Sequence, residues 1–280
     1  MHGYDYPFVE PFIKSLKKTG YTGDLVIFTS DTTSKTTKRF LKKNGAILIC
    51  FSTAYPFVEQ YREAFKNIVP AVTINNYRFI LYLQFLTENG NKYQNVMLTD
   101  IRDVIFQDEP FSKLPDEKIC FFLEDPVHNF THESNYQWLC EATNIDMANQ
   151  LISQTVSCAG ITIGSTSLII DYLNYMKDKL SFRNELKWGL DQGIHNSYIY
   201  LIKPAGMRLF SNNEPFVSTL GAYQPYKENS NGEVVNSKGE TYAIVHQYDR
   251  SGRLFMDIKH KYIGNRFMQK LKRAYFLLMP

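Results

Sequence analysis

The sequence predicts an α/β protein whose mostly parallel central sheet is flanked by helices. Three observations predict it: short apolar runs of strand length recur along the chain, segments of helical spacing lie between them, and turn residues mark the junctions. "DLVIFTS" (24–30) and "GAILICF" (45–51) read as strands, and the polar "DTTSKTTKRFLKKN" between them reads as a helical crossover, which makes a βαβ unit. After Asn75 or Asn76 as a cap, Phe79, Ile80, Leu83 and Leu86 recur at helical spacing until Gly90 stops the helix. "NVMLTD" (95–100) and "KICFFLE" (118–124) are the next strands. Pro126 to Asn149 has the least periodicity and reads as an insertion or lid with short helices.

"AGITIG" (159–164) is a further strand, leading to Ser165 as the cap of a helix that gathers Leu168, Ile169, Tyr172, Leu173 and Met176 on one face. Asp191 opens another helix, carrying Ile194, Tyr198 and Leu201. The polar, glycine-bearing stretch 226–241 predicts a hairpin or loop, and "YAIVHQYDR" (242–250) a last strand ending in His246. No internal repeat and no low-complexity segment is visible. With 280 residues, the chain is long enough for a substantial core, and one domain over 1–280 is expected, with a C-terminal helix at 264–278.

Composition excludes several classes. A net charge of +3 is too small to announce a nucleic-acid partner, and none is expected. The cysteines at 50, 120, 140 and 158 form no CxxC pair and no zinc spacing, so a reducing, cytoplasmic setting follows as the economical expectation. No run approaches the ~18 apolar residues of a membrane span. The 20 Phe and 19 Tyr fit sugar- or base-binding clefts, but an aromatic core accounts for most of them.

"VMLTDIRDVIFQDEPF" (96–111) ends an apolar strand in Asp100 and Asp103, with Arg102 between them. Ligands of open α/β sheets gather at the carboxyl ends of strands, and His246 ends a strand of its own. Two carboxylates and an imidazole form a mixed oxygen and nitrogen set suited to Mn²⁺, or less comfortably to Mg²⁺, with positions left open for a diphosphate. Arg250, four residues after His246, is a cation for phosphate. The plainer alternative makes Asp100 and Asp103 turn residues bonded to their own backbone.

The order of "RFILYLQFL" (78–86), "VMLTDIRDVIFQDEPF" (96–111), "CAGITIG" (158–164), "GLDQGIHN" (189–196) and "IVHQYDR" (244–250) resembles a GT-A-fold glycosyltransferase of the nucleotide-diphospho-sugar transferase superfamily. The resemblance runs from about Gly3 to Arg250. It implies a GT-A-like fold and a hexosyltransferase-like enzyme that moves a sugar from a nucleotide-sugar donor, a UDP-sugar first of all, to a carbohydrate or other hydroxyl acceptor, with retention. It implies Asp100, Asp103 and His246 as metal ligands, with Arg78, Asp100, Arg102 and Arg250 toward the donor. Asp191 and Gln192 are implied to face the sugar and the acceptor, Asp191 having an equal local reading as a helix cap.

Two departures stand out. Cys158-Ala159-Gly160 occupies a turn where relatives often place an Asn, so one amide is missing. Met1 and His2 stand directly before Gly3, where the family's first, base-contacting strand is expected; that strand is expected to be lacking. The start is then misplaced, or other residues hold the base, or donor binding is impaired.

Two readings compete with the transferase. One is a non-catalytic sugar- or nucleotide-binding protein of the same fold; the other is a metal-dependent phosphohydrolase using the same aspartates. His128 and His132 in "HNFTH" have ligand-like spacing, but Asn129 replaces the glutamate a metalloprotease needs, and a loop pair is the reading that follows. The basic and apolar "NRFMQKLKRAYFLLMP" fits a docked terminal helix, with peripheral membrane contact as the alternative.

Overall fold

The protein is described by a computed structural model covering residues 1, 3–52, 74–181, 187–221 and 225–264. Its helices are α1 (Tyr6–Lys18), α2 (Lys35–Lys43), α3 (Ile74–Asn89), α4 (Glu133–Ala142), α5 (Ile145–Gln150), α6 (Thr166–Ser181), α7 (Leu190–Ser197) and α8 (Gly252–Ile263). Its strands are β1 (Val26–Ser30), β2 (Ile47–Phe51), β3 (Asn95–Thr99), β4 (Val104–Phe106), β5 (Ile119–Leu123), β6 (Ser157–Ser165), β7 (Met207–Phe210), β8 (Val217–Thr219), β9 (Lys227–Glu228), β10 (Val234–Val235) and β11 (Ile244–His246). These residues gather into two compact units, each assembled from separated stretches. The first draws on the described residues within Met1–Ile49, Asp100–Ser112 and Glu214–Pro280, the second on those within Cys50–Thr99 and Lys113–Asn213.

In the first unit β11 is the centre of a three-stranded sheet, antiparallel to β4 and parallel to β8. Helix α1 covers it because Val9, Phe12, Ile13 and Leu16 fall on one face and are all buried. Phe12 meets Phe106 edge-on at 5.0 Å, and the Phe106 N–H donates to Ser15 Oγ at 3.1 Å. Pro11 sits inside α1 and has no N–H for the Pro7 carbonyl. The buried ammonium of Lys259, on α8, donates to that carbonyl at 3.2 Å. Burial lowers the Lys259 pKa to about 8. Met1 lies along β1, its carbonyl accepting from Ser30 N–H and its amino group meeting the Phe28 carbonyl.

The stretch 226–241 forms the expected hairpin, β9 with β10. It also contains a repeat that the sequence reading missed. In Asn229-Ser-Asn-Gly-Glu233 the Asn oxygen accepts the N–H groups two and four residues on, while its amide donates to the Glu carboxylate. Asn236-Ser-Lys-Gly-Glu240 does the same. Two copies of a five-residue turn are too short to register as a periodicity.

The second unit holds a four-stranded sheet in the order β3-β6-β5-β7. Here the expectation of a mostly parallel sheet is corrected: β6 runs antiparallel to both β3 and β5, and only β5 and β7 are parallel. Continuous apolar runs report burial on both faces, which parallel sheets require but antiparallel strands also reach when covered twice. What holds of the fold is a mixed α/β protein with sheets of mixed strand direction.

Helix α6 buries Ile169, Tyr172, Leu173 and Met176 completely, as its spacing predicts. The 126–149 stretch carries α4 and the start of α5. Gly193 brings α7 against α4, since a Cβ there would lie 2.0 Å from the Trp138 carbonyl oxygen. Two cap expectations are corrected. Helix α3 already includes Asn75 and Asn76, and α7 begins after Gly189, in the left-handed region at φ 83°, so Asp191 stands inside its first turn. The C-terminal helix expected at 264–278 lies outside the described residues beyond Gly264. Among the described residues no helix is long and apolar enough to cross a membrane.

Candidate metal centre

Strand register explains how residues more than a hundred positions apart meet. In the antiparallel pairing of β4 with β11, Val104 stands opposite His246. Asp103 immediately precedes Val104, so the carboxylate and the imidazole share one end of the same small sheet. Asp100 follows Thr99, the last residue of β3. One ligand atom from each of Asp100, Asp103 and His246 lies within 4.8 Å of the others. His246 Nε2 is 3.7 Å from Asp100 Oδ2.

The surroundings fix this geometry. Gln247 adopts φ 58°, an uncommon conformation for a non-glycine residue, and turns the chain sharply after His246. That turn lets Tyr248 fold back: its N–H reaches the Asp103 carbonyl at 3.4 Å and its hydroxyl donates to the Arg102 carbonyl at 3.1 Å. The loop carrying the aspartates is thereby tied to the end of β11. Arg102 Nη2 contacts Asp249 Oδ2 at 2.8 Å and Asp103 Oδ2 at 3.5 Å. Arg250 is half exposed, with Nε 3.8 Å from Asp249 Oδ1. Asp249 and Tyr248 belong to the site and were not singled out from the sequence; their signal was their place directly after His246.

Burial raises the Asp103 carboxyl above the usual carboxylate range. The imidazole of His246 opposes that shift, the charges of Asp100 and Asp249 add to it, and Arg102 opposes it. Crowded, desolvated carboxylates are costly unless a cation joins them. Two carboxylates and an imidazole within reach of one point have the donor chemistry of a Mn²⁺ site, and less closely of a Mg²⁺ site. The three residues fit such an ion.

The other residues singled out from the sequence, Arg78, Asp191 and Gln192, come together in the second unit. Arg78 Nη2 is 3.1 Å from Asp191 Oδ2 and donates to the Ala159 carbonyl at 3.2 Å. The Asp191 N–H donates to Asn76 Oδ1 at 3.0 Å. Gln192 grips the start of β6 from both ends of its amide: Oε1 accepts from Ala159 N–H at 2.8 Å and Nε2 donates to the Ser157 carbonyl at 2.7 Å. The Gln192 amide thus bridges the backbone on either side of Cys158.

Behind Gln192 lies a buried polar chain. The Ser157 hydroxyl donates to the Phe122 carbonyl at 3.0 Å, so its oxygen accepts from His195 Nε2–H at 3.0 Å. His195 Nδ1 then accepts from the Tyr172 hydroxyl at 2.7 Å. Burial, with the Arg78 charge adding, lowers the His195 pKa to about 3. This Ser-His-Tyr order has the look of a nucleophile and base, but the serine proton is committed to a carbonyl and all three side chains are buried. The His128 and His132 pair also resolves as expected: His128 Nδ1 bonds Glu124 Oε2 at 2.8 Å, which raises its pKa, and His132 precedes α4. No protein-family model and no curated protein sequence matches the chain.

Proposed function

We propose that the chain is a divalent-cation-dependent glycosyltransferase of GT-A type. It would move a sugar, with retention, from a nucleotide-diphosphate donor, a UDP-sugar first of all, to a hydroxyl acceptor. The observation that carries this reading is the convergence of Asp100, Asp103 and His246 from opposite parts of the sequence. A cation held there would supply Lewis-acid stabilisation of the negative charge that grows on the departing diphosphate.

The chain's own residues divide the remaining work. Asp100 and Asp103 provide anionic ligands, and His246 a neutral one, on a loop and strand end tied together through Tyr248. Arg102 holds Asp249 and leans on Asp103, which keeps that carboxylate oriented. Arg250, half exposed beside Asp249, is the protein's cation for the leaving diphosphate. In this reading Arg78 acts toward the donor by fixing Asp191, and Asp191 is the carboxylate for the sugar. Gln192, its amide occupied by the β6 backbone, is a positioning residue, so the resemblance's assignment of Gln192 to the acceptor is carried through α7.

The test is a screen of sugar nucleotides for Mn²⁺-dependent hydrolysis and transfer, run on the full chain and on Asp103→Ala. The expected result is turnover of at least one donor that disappears on chelation and in the variant. Turnover unchanged in Asp103→Ala would remove the mechanism.

A further inference from the structure

The chain contains two tryptophans, and they lie side by side. Trp138 on α4 and Trp188 just before α7 meet edge to face, with centroids 4.9 Å apart and planes at 77°. Trp188 is 62% exposed, an unusual position for the largest apolar side chain. Beside the ring pair runs an ion pair between the same two segments: Lys187 Nζ lies 3.2 Å from Glu141 Oε1. Glu141 is one turn beyond Trp138 on α4 and shares its face.

The arrangement is held rigidly. Asn76 Nδ2 donates to the Lys187 carbonyl at 2.9 Å, and Asn76 Oδ1 accepts from Asp191 N–H, so α3 fixes the backbone on both sides of Trp188. Gly189 is left-handed at φ 83°, and a Cβ there would stand 2.1 Å from Trp138 Cε2. Only glycine lets the Trp138 ring lie against the chain and support its neighbour from behind.

We propose that Trp188, backed by Trp138 and bordered by the Glu141 and Lys187 pair, is a saccharide-binding platform. Trp188 is 62% exposed, and an indole face carries the negative side of the ring quadrupole, which suits the weakly positive C–H face of a pyranose. The border supplies a carboxylate acceptor and an ammonium donor of zero net charge, matching the hydroxyls of a neutral polyol. A protein partner's contact core would be depleted of such charges. A fixed, exposed aromatic face loses little conformational entropy on binding. This goes beyond the transferase reading, because the platform requires neither cation nor donor.

The two tryptophans make the site its own reporter, since intrinsic tryptophan fluorescence arises from nowhere else in the chain. The experiment titrates the full chain, without added metal, with lactose, maltose and diacetylchitobiose in separate series. A saturable emission change with at least one sugar is expected. Affinity for it should fall at least about tenfold in Trp188→Ala, change little in Trp188→Tyr and drop a few-fold in Glu141→Gln. Trp138 remains as the reporter in the Trp188 variants, and circular dichroism checks that they fold.

No saturable change with any of the three sugars would overturn the proposal, as would a change that survives in Trp188→Ala. A response confined to UMP or to phosphatidylcholine vesicles would overturn it in favour of a base or a lipid surface. A sugar response without Mn²⁺-dependent donor turnover leaves the platform standing and removes the transferase, whereas turnover without a sugar response does the reverse.

Discussion

His246 and His195 are equally hidden from solvent, at 1% and 0% exposure, yet their surroundings give them opposite chemistry. His195 is enclosed by a serine and a tyrosine that use both its ring nitrogens and keep it neutral. His246 stands beside two carboxylates whose ligand atoms converge with its own. Burial alone therefore says nothing about role; the charge of the neighbours decides whether a histidine braces a core or prepares a place for a cation.

The largest expected effect separates function from stability at Asp103. Asp103→Asn keeps the side-chain volume and removes a buried charge whose pKa burial and like charges hold high. Mn²⁺-dependent turnover should fall at least about 1,000-fold, near 4 kcal/mol of transition-state stabilisation. The melting temperature should hold or rise, because an ionised Asp103 with a raised folded pKa opposes folding at neutral pH. Kinetics and calorimetry on one preparation check both halves.

Next is the packing that supports the other region. Gly193→Ala forces a methyl group onto the Trp138 carbonyl, and chemical denaturation should show a loss of about 3 kcal/mol.

His195 carries a pH signature set by its burial. Its folded pKa of about 3 lies below the ordinary 6.5. The unfolded chain therefore binds a proton that the folded chain refuses, and this group's contribution is intact above pH 6.5. Stability is lost as pH falls toward 3, by roughly 1.4 kcal/mol per pH unit. His195→Gln should remove that part of the slope in a series of denaturation curves.

The smallest expected effect concerns Pro11 and Lys259. Pro11→Ala restores an N–H to the Pro7 carbonyl, so Lys259→Met should cost about 1 kcal/mol less in that background than alone, as a double-mutant cycle will read.

Much of the strand framework was legible in the sequence because β-branched and aromatic runs bounded by turn residues mark strands whatever their direction. Direction was not, since pairing depends on which runs become neighbours. The three-residue strands β4 and β8 escaped notice for want of length, and β4 supplies the register that brings Asp103 to His246. The cluster of Asp100, Asp103 and His246 was readable, because carboxylates after an apolar strand and a histidine ending another are positions at which sheets present side chains. Asp249, Gln247 and the Lys259 contact were hidden, as each owes its place to tertiary packing. The amide of Gln192 was legible as a polar group beside Asp191, but its engagement with β6 appears only once the helix is placed.

Direct binding of Mn²⁺, followed by electron paramagnetic resonance on the full chain, on Asp103→Asn and on His246→Gln, tests the role of the carboxylate and imidazole cluster without any substrate. One saturable site in the parent chain, lost in both variants, is the result expected. Equal Mn²⁺ binding by all three proteins would contradict it.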